Sequence, residues 1–410
     1  MDKIQLIFFF ISGFLVSRLI ITVKLPQRIV YSLLGKRQLS LSRVLFYVVM
    51  IATVFSFFIP NVITVLTMLP ILELLRKSYK KAGFPVGNIA TMLALATIYG
   101  ANIGGMGSIT ATPANGILAT YAEINKIPGA AHLNFASWLV WGAPLIICFS
   151  FLAWLILILV FRPDNHSAKK IHFPFSVSEI SHRYQTLTIW LTGIFFVSSL
   201  ALSATMLRYE HYRLTTLMVT GVLSVLFTLF LFIIPLPNNP ERGRRRPLLK
   251  ISDCYGNLPM RGFLFIGVAI LLAAILYFLG INRYFAMWIS RMMPVELSEY
   301  SLFLGLALVT SFTTEILSNT AVQISVFVIA QPLAETLGFP PLLALIVTTL
   351  SSTSAFMSPI ATGVNGLAFG GVRGVSFTKM LLVGFLMNIA GALLISGWAV
   401  YFIGWLYHLI

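Results

Sequence analysis

The sequence predicts an all-α polytopic membrane protein built from two inverted repeats, each with a re-entrant hairpin and a discontinuous helix. Of the 410 residues, 58% are hydrophobic and only 10% are charged, which is more apolar surface than a water-soluble domain needs. Several apolar runs reach the roughly 20 residues that cross a ~30 Å hydrocarbon core. Other apolar runs are broken in the middle by Gly, Pro, Asn or Ser, and these breaks occur in two matching sets.

Six uninterrupted apolar runs predict full membrane spans. They are residues 4–23, 134–161, 186–206, 213–236, 262–282 and 378–407. The first is expected to be a retained span rather than a signal peptide, because a single Lys3 precedes it and no small-residue cleavage site follows it. The two cysteines are too few for a disulfide framework.

The net charge of +16 is explained by membrane topology, without a nucleic-acid partner. Most Lys and Arg residues lie in short loops between the apolar runs, including the run RGRRR at 242–246. Loops rich in Lys and Arg remain on the cytoplasmic side of the membrane. We therefore expect a multi-pass protein of the plasma (cell inner) membrane that contacts the lipid bilayer and binds no nucleic acid.

Two apolar regions are split by short polar segments and predict re-entrant hairpins, in which two short helices enter and leave the membrane on one side. In the first, residues 41–59 and 62–75 flank the segment PNV at 60–62. In the second, residues 299–317 and 321–337 flank the segment SNT at 318–320.

Each hairpin is followed by an apolar run with a break at its centre. The first run contains ATPANG at 111–116, and the second contains ATGVNG at 361–366, which is 250 residues later. Backbone without helical hydrogen bonds is tolerated at membrane depth only where protein buries it or where it lines a wet cavity. Two hairpins and two broken helices therefore predict a functional site.

The charge distribution predicts that the first hairpin opens from the cytoplasm and the second from outside, so the two repeats have inverted topology. The first repeat covers 1–161, with a span, an arm, a hairpin at 41–77, a broken helix at 86–121 and a span at 134–161. A cytoplasmic loop follows at 162–185. The second repeat covers 186–410, with spans at 186–236, a cytoplasmic loop at 237–261, a span at 262–282, an arm, a hairpin at 299–337, a broken helix at 340–373 and a span at 378–407. This architecture is typical of secondary transporters.

The tip of the second hairpin, TEILSNTA at 314–321, offers neutral donors and acceptors at the start of a helix. Helix N-termini favour carboxylate or sulfate oxygens, and the free carbonyls that end the preceding helix are suited to a small cation. The same logic applies to the broken helix at 361–363. The alternative interpretation is that SNT is an ordinary helix N-cap.

The segments TEILSNTAVQISVFVIAQPLA at 314–334 and SSTSAFMSPIATGVNGLAFG at 351–370 resemble the divalent anion/sodium symporter (DASS) family of the ion transporter superfamily. The segment IYGANIGGMGSITATPANGI at 98–117 is similar to the Gly-rich segment of that family's first repeat. The resemblance covers nearly the whole chain, although the chain is N-terminally short by about three spans of the family pattern. It implies symport of a dicarboxylate, tricarboxylate or sulfate with one or two Na+ ions, and leaves a homodimer open.

The resemblance also implies two cation sites and one substrate site. The second cation site would use the side chains of Thr314 and Asn319 with the carbonyls of Leu317 and Ala361, and the first would use Ser56, Asn61 and the carbonyl of Ala111. The substrate would contact Asn61, Thr112, Ser318, Asn319, Thr320, Thr362 and Gly363.

Three residues depart from the family pattern. Pro60 and Val62 replace a Ser and a Thr at the first tip, and Gly363 replaces a Pro after Thr362. Because two hydroxyls are missing, a proton-coupled or exchange-type transporter of the same superfamily is the alternative function. A membrane enzyme or an assembly subunit is a remote alternative, since we find no His/Asp/Glu cluster at catalytic spacing and expect no enzymatic activity.

Two carboxylates need separate explanations. Glu315 lies beside the second tip, and a charged group at the bilayer centre costs about 2.5–3.5 kcal/mol on insertion scales, so it must face protein or water. A structural role and a place near the cation path are both open. Glu73 is expected to form a salt bridge at the end of the first hairpin. The arms at 26–40 and 283–299 are either helices that frame a moving domain or simple interfacial connectors.

Overall fold

The structure is a computed structural model that describes residues 2–34, 39–164, 182–233, 235–236, 246–255, 275, 279 and 297–409. The predicted span at 262–282 apart from residues 275 and 279, the arm at 283–299 up to residue 296, and most of the loops at 162–185 and 237–261 lie outside the described residues. Within the described ranges the protein is helical, apart from one antiparallel pair of two-residue strands, β1 (Pro235–Leu236) and β2 (Arg246–Pro247). The predicted all-α fold is confirmed.

The described part of the first repeat contains seven α-helices. They are α1 (Asp2–Thr22), α2 (Leu25–Leu34), α3 (Leu41–Phe58), α4 (Asn61–Lys81), α5 (Val86–Gly104), α6 (Pro113–Ile124) and α7 (Phe135–Phe161). Pro60 has no N–H to continue a helix, so α3 ends and α4 begins around it and the two helices form a hairpin. Pro113 occupies the first position of α6, where a missing N–H costs nothing.

The second half of the chain repeats this order. It contains α8 (His182–Arg208), α9 (Arg213–Ile233), the short α10 (Ile251–Tyr255), α11 (Glu299–Thr313), α12 (Asn319–Leu337), α13 (Pro341–Ser352), α14 (Gly363–Gly371), α15 (Phe377–Gly397), a π-helical segment (Trp398–Ile403) and α16 (Gly404–Leu409). Here α11 and α12 form the hairpin, and α13 and α14 are the two halves of the broken helix. Both predicted hairpins and both predicted discontinuous helices are present.

Seven helices of the described ranges are long and apolar enough to cross a membrane. They are Ile4–Thr22, Leu41–Phe58, Phe135–Phe161, Tyr184–Arg208, Arg213–Ile233, Asn319–Leu337 and Phe377–Tyr407. Two of these, α3 and α12, are arms of the hairpins. In α8 and α9 only 17% of the apolar window is buried within the protein, so most of their apolar surface faces outward, as expected for contact with lipid.

The end of the first hairpin differs from the predicted one. The second arm of the first hairpin, α4, continues to Lys81 instead of ending near residue 77, because Leu75 and Tyr79 are fully buried and their packing extends the helix. Its last turn carries Lys80 and Lys81, and positive charge at a helix C-terminus is stabilising because it interacts favourably with the helix dipole. The predicted salt bridge of Glu73 is present within α4, with 2.6 Å between Glu73 Oε1 and Arg76 Nη2.

The second half of each broken helix packs against the hairpin of the other repeat. A Cβ atom built on Gly363 would lie 3.6 Å from Val62 Cγ2, and one built on Gly371 would lie 2.6 Å from Leu69 Cδ2. The contacts follow the same order along both helices, so α14 and α4 run side by side in the same direction. The two repeats are therefore interlocked.

In the first repeat the second half of the broken helix is α6, and it is paired with α12 in the same way. Gln323 Nε2 donates to the Ala114 carbonyl oxygen at 2.8 Å, and the Tyr121 hydroxyl donates to Gln331 Oε1 at 3.0 Å. These two contacts again follow the same order along both helices. The exchange of half-helices is thus reciprocal between the repeats.

Candidate substrate and cation site

Four helices of the two repeats begin around one place. They are α4 at Asn61, α6 at Pro113, α12 at Asn319 and α14 at Gly363. The first tip and the first break meet at Gly105, where an added Cβ atom would lie 2.6 Å from Thr112 Cγ2 and 2.9 Å from Asn61 Oδ1. The contact joins the start of α4 to the start of α6. Since α14 packs on α4 and α6 packs on α12, the N-termini of all four helices lie close together. Helix N-termini present unpaired N–H groups and partial positive charge, so this arrangement favours an anion.

One asparagine closes each break by the same pattern of hydrogen bonds. Asn115 Nδ2 donates to the carbonyl oxygens seven and ten residues before it, at 2.8 and 2.9 Å. Asn365 Nδ2 donates to the carbonyl oxygens seven and ten residues before it, at 2.8 and 3.0 Å. These acceptors are Ser108 and Gly105 in the first break, and Ser358 and Ala355 in the second. The repeated hexapeptide is thus explained by its shared Asn, which holds non-helical backbone in shape.

The two threonines of the hexapeptides have different environments. Thr362 Oγ1 accepts from the Asn365 N–H at 3.1 Å and lies 3.0 Å from Asn365 Oδ1, to which it donates. It therefore caps α14. Thr112 Oγ1 and Asn61 Oδ1 are buried atoms that make no hydrogen bond with the described residues. Of the two predicted substrate threonines, Thr112 has the freer hydroxyl.

Three oxygens cluster at the second hairpin. Thr314 Oγ1 lies 2.7 Å from Asn319 Oδ1 and 3.1 Å from the Ser352 carbonyl oxygen. The Thr hydroxyl has one hydrogen, so it donates to only one of these two acceptors at a time. Three oxygens that share one hydrogen are suited to a small hard cation. Thr314 and Asn319 were predicted as ligands, whereas Ser352 was not.

The carbonyls of Leu317 and Ala361, also predicted for this cation site, belong to the adjoining loops. Leu317 lies in the tip between α11 and α12, and Ala361 lies in the break before α14. Among the described residues, no hydrogen bond joins either carbonyl oxygen to the oxygen cluster. Both stay predictions. Ser318 is exposed at the start of α12, and Thr320, two residues later, is partly buried.

The first hairpin has a different arrangement. Ser56 Oγ donates to Thr64 Oγ1 at 3.0 Å, so its side chain turns towards α4 one turn beyond Asn61. Asn61 instead lies beside Thr112 at Gly105. The predicted set of Ser56, Asn61 and the Ala111 carbonyl is therefore not drawn together by hydrogen bonds between the described residues in the way the second cluster is.

Glu315 binds the second break. Its carboxylate accepts from the backbone N–H groups of Phe356 at 2.7 Å, Met357 at 2.9 Å and Ser358 at 2.6 Å, and from Asn388 Nδ2 at 2.8 Å. The residue is 2% exposed. Because four donors surround a buried charge, the structure supports the structural interpretation of Glu315: it holds non-helical backbone in place beside the cluster of Thr314, Asn319 and Ser352.

The first break is held by apolar and aromatic groups instead. A Cβ atom on Gly107 would lie 2.6 Å from Phe57 Cδ2, so the Phe57 ring occupies the side of the break that Glu315 occupies in the second repeat. Trp138 Nε1 donates to the Met106 carbonyl oxygen at 2.9 Å. The two breaks share a shape but are stabilised by different chemistry.

Several residues of the site were not found by sequence reasoning. They are Thr64, Asn102, Asn115, Gln323, Ser352 and Asn365. The Asn shared by ATPANG and ATGVNG could have identified two of them. Asn102, which donates to the Ala355 carbonyl oxygen at 2.8 Å, lies in an apolar helix and carries no such signal.

Known proteins resemble the chain over most of its length. It is 25% identical over 411 residues to the sodium-dependent dicarboxylate transporter SdcS of Staphylococcus saprophyticus, covering 95% of this chain and 75% of that protein. SdcS of Staphylococcus aureus gives the same identity and coverage over 404 residues. The crystal structure of the YdaH transporter of Alcanivorax borkumensis aligns with a TM-score of 0.48 at 15% identity, covering 98% of this chain and 87% of that one.

The model of the citrate transporter family matches residues 3–242, which is more than half of the chain. The match includes the first hairpin, the first broken helix and the spans that follow. Seven apolar helices make the protein a multi-pass membrane protein. The chain therefore belongs to the citrate transporter family, within the divalent anion/sodium symporter group that its motifs resemble.

Proposed function

We propose that the protein is a secondary active transporter that moves a small dicarboxylate or tricarboxylate, or sulfate, across the plasma membrane by symport with Na+. The observation that carries this proposal is the convergence of four helix N-termini beside the cluster of Thr314, Asn319 and Ser352. An anion site and a cation site then share one residue, Asn319. The names of the sodium-dependent relatives support the choice of Na+ and of a carboxylate.

The anion would be held largely by neutral groups. Among the described residues, the buried charged side chains are Arg18, Arg76 and Glu315, and neither arginine lies in a tip or a break. The partial positive charge of each helix N-terminus is equivalent to about half an elementary charge. We infer that these dipoles, hydroxyl and amide donors, and the coupling cation neutralise the substrate together.

Cation binding would precede anion binding. A Na+ ion in the second cluster replaces the hydrogen bond from Thr314 to Asn319 Oδ1 with two ion–oxygen contacts. This fixes the Asn319 side chain, which leaves its NH2 group free to donate to a carboxylate at the start of α12. Without the ion, the oxygens of the cluster face the anion with no compensating charge. Coupling follows from that difference in electrostatic energy.

The moving part would be the interlocked hairpins and broken helices. Gln323 and Asn102 each donate across the repeats, to the carbonyls of Ala114 and Ala355. Since the second half of each broken helix is packed on the other repeat's hairpin, these elements would move together as one block relative to α1, α8 and α9. Such a block exposes one site to each side in turn, which is alternating access around a fixed site.

A proton-coupled or exchange-type mechanism is the second candidate, and one observation favours it. Pro60 and Val62 supply no hydroxyl at the first tip, and Ser56 is hydrogen-bonded to Thr64. The first cation site is therefore poorer in oxygen ligands than the second.

The test uses purified protein in liposomes, with radiolabelled succinate, citrate or sulfate and imposed gradients of Na+ or H+. We expect an inward Na+ gradient to drive uptake, and a sodium ionophore to abolish it. Uptake driven by the H+ gradient alone, and unaffected by the sodium ionophore, would support the second candidate. Absence of uptake of all three anions under every gradient would refute the proposal.

A variant pair tests the cation cluster directly. Thr314→Val keeps the shape of the side chain but removes the shared oxygen, so the Na+ concentration for half-maximal uptake should rise about tenfold or more. Thr313→Val is the matched control, because the Thr313 hydroxyl donates at 2.6 Å to the Val309 carbonyl within its own helix, away from the cluster. Equal Na+ dependence of the two variants would contradict the assignment.

A further inference from the structure

The two ends of the candidate site are unequal within this one chain. At the second tip, Ser318 and Thr320 place hydroxyls on either side of Asn319. At the first tip, Asn61 has apolar neighbours on both sides, Pro60 and Val62. Asn61 and Asn319 each begin the second helix of a hairpin, so these neighbours occupy equivalent positions.

The half-helices that lie next to the two tips also begin with different residues. Gly363 begins α14 beside the first tip, whereas Pro113 begins α6 beside the second. Val62 is 39% exposed, and its Cγ2 atom lies 3.6 Å from a Cβ built on Gly363, with no other described atom within 4 Å apart from the neighbouring residues and backbone of α14. The first end thus presents methyl groups to an open space that no side chain of residue 363 fills.

The distribution of polar atoms follows this asymmetry. The cluster of Thr314, Asn319 and Ser352 lies at the second hairpin. The hydroxyl of Ser56 at the first hairpin is engaged with Thr64. The second tip therefore offers a carboxylate two hydroxyls of its own and the oxygen cluster, whereas the first tip has no hydroxyl of its own and only that of Thr112, from the first break, lies beside Asn61.

We propose that the substrate binds in one orientation, with a carboxylate at the second end and an apolar branch against Val62 and Gly363. The preferred substrate class is then a carboxylate with alkyl substituents on one end, and Val62 is a specificity-determining residue. This inference rests on the proposed transport of small carboxylates. It adds that the two ends of the substrate are chemically different.

The contact with Val62 is strong enough to decide between similar substrates. One methyl or methylene group in an apolar pocket changes discrimination by about 10- to 200-fold. A symmetric dicarboxylate gains nothing from the methyl groups of Val62 and exposes its second charge to them. An alkyl-substituted dicarboxylate covers Val62 and keeps one carboxylate clear of it.

The experiment compares succinate with 2,2-dimethylsuccinate as competitors of carboxylate uptake in liposomes. For the unmodified protein we expect 2,2-dimethylsuccinate to inhibit at a concentration about tenfold lower than succinate. Val62→Thr has nearly the same shape but offers a hydroxyl, and it should bring the two inhibitory concentrations to within about twofold. Leu66→Thr is the matched control on α4, since Leu66 is 41% exposed one turn further along, and it should leave the tenfold ratio unchanged.

A second variant protects the test against a folding defect. Gly363→Ala adds a Cβ at an ordinary contact distance of 3.6 Å from Val62, so it should fold and should selectively weaken inhibition by 2,2-dimethylsuccinate. A preference of the unmodified protein for succinate, or a ratio that both variants leave unchanged, would overturn the inference while carboxylate transport stands. Loss of all uptake by the unmodified protein would instead refute the proposed function.

Discussion

Glu315→Gln should loosen the second break locally, by an amount that follows from its hydrogen bonds. Glu315 Oε1 accepts from Phe356, Met357 and Asn388, and Oε2 accepts from the Ser358 N–H at 2.6 Å. A glutamine keeps the first three bonds through its carbonyl oxygen but turns an NH2 group towards the Ser358 N–H. One partly buried N–H then has no acceptor, which costs up to about 1–3 kcal/mol.

This local cost predicts a measurable rate. About 1.4 kcal/mol corresponds to a factor of ten in an equilibrium constant, so the opening of the break should become roughly 5- to 150-fold more frequent. Hydrogen–deuterium exchange of peptides that cover residues 353–362 should accelerate by that factor. Peptides from the first break, which Phe57 and Trp138 contact, should exchange as before.

The control is Glu335→Gln on α12, where an exposed carboxylate accepts only an i,i+4 side-chain bond, from Gln331 at 3.0 Å. This variant should leave the exchange of both breaks unchanged. Unaltered exchange at 353–362 in Glu315→Gln would refute the role of Glu315 as the group that holds the break. Faster exchange throughout the protein would show a global loss of stability instead of a local one.

Two further predictions concern the breaks and the packing of the hairpin. Asn115→Ala and Asn365→Ala each remove two hydrogen bonds to buried carbonyls, so each should destabilise the protein by about 1–3 kcal/mol and lower the midpoint of thermal unfolding in detergent. Gly104→Ala should prevent normal folding, because its Cβ would lie 2.2 Å from the Thr53 carbonyl oxygen. Fluorescence-detected size exclusion of tagged protein measures that loss.

Both predictions have clear outcomes against them. Gly305→Ala is the matched control for the glycine, since an added Cβ there meets nothing within 4 Å, and it should elute as the unmodified protein does. A monodisperse Gly104→Ala variant would show that α3 and α5 are further apart than described. Unchanged thermal midpoints for both asparagine variants would mean that the breaks keep their shape without them.

The hairpins and broken helices were predictable because residues at the interruptions themselves end a helix. Pro60 stops α3 by lacking an N–H, and the Gly, Pro and Asn residues of the hexapeptides cannot continue an apolar helix. The alternation of basic and apolar segments likewise indicates where the long helices lie. These signals depend on neighbours in sequence, and so a single sequence reveals them.

The partners inside the site were less predictable because they depend on distant packing. Ser352 contributes a carbonyl oxygen, which every residue possesses, so its side chain gives no sign of the role. Ser56 was expected to join Asn61 by resemblance, yet it donates to Thr64, because the hydroxyl of the next turn lies within reach. The binding of Glu315 to Phe356 and its neighbours joins segments about 40 residues apart, which no local pattern encodes.

The reciprocal packing of the half-helices has a consequence for synthesis. The face of α4 that contains Leu69 is completed by Gly371 of α14, which is made about 300 residues later. At about 5–20 residues per second, the first hairpin waits roughly 15–60 s for its partner. During that time its exposed face must be covered by lipid or by the insertion machinery, so the native hairpin forms only near the end of translation.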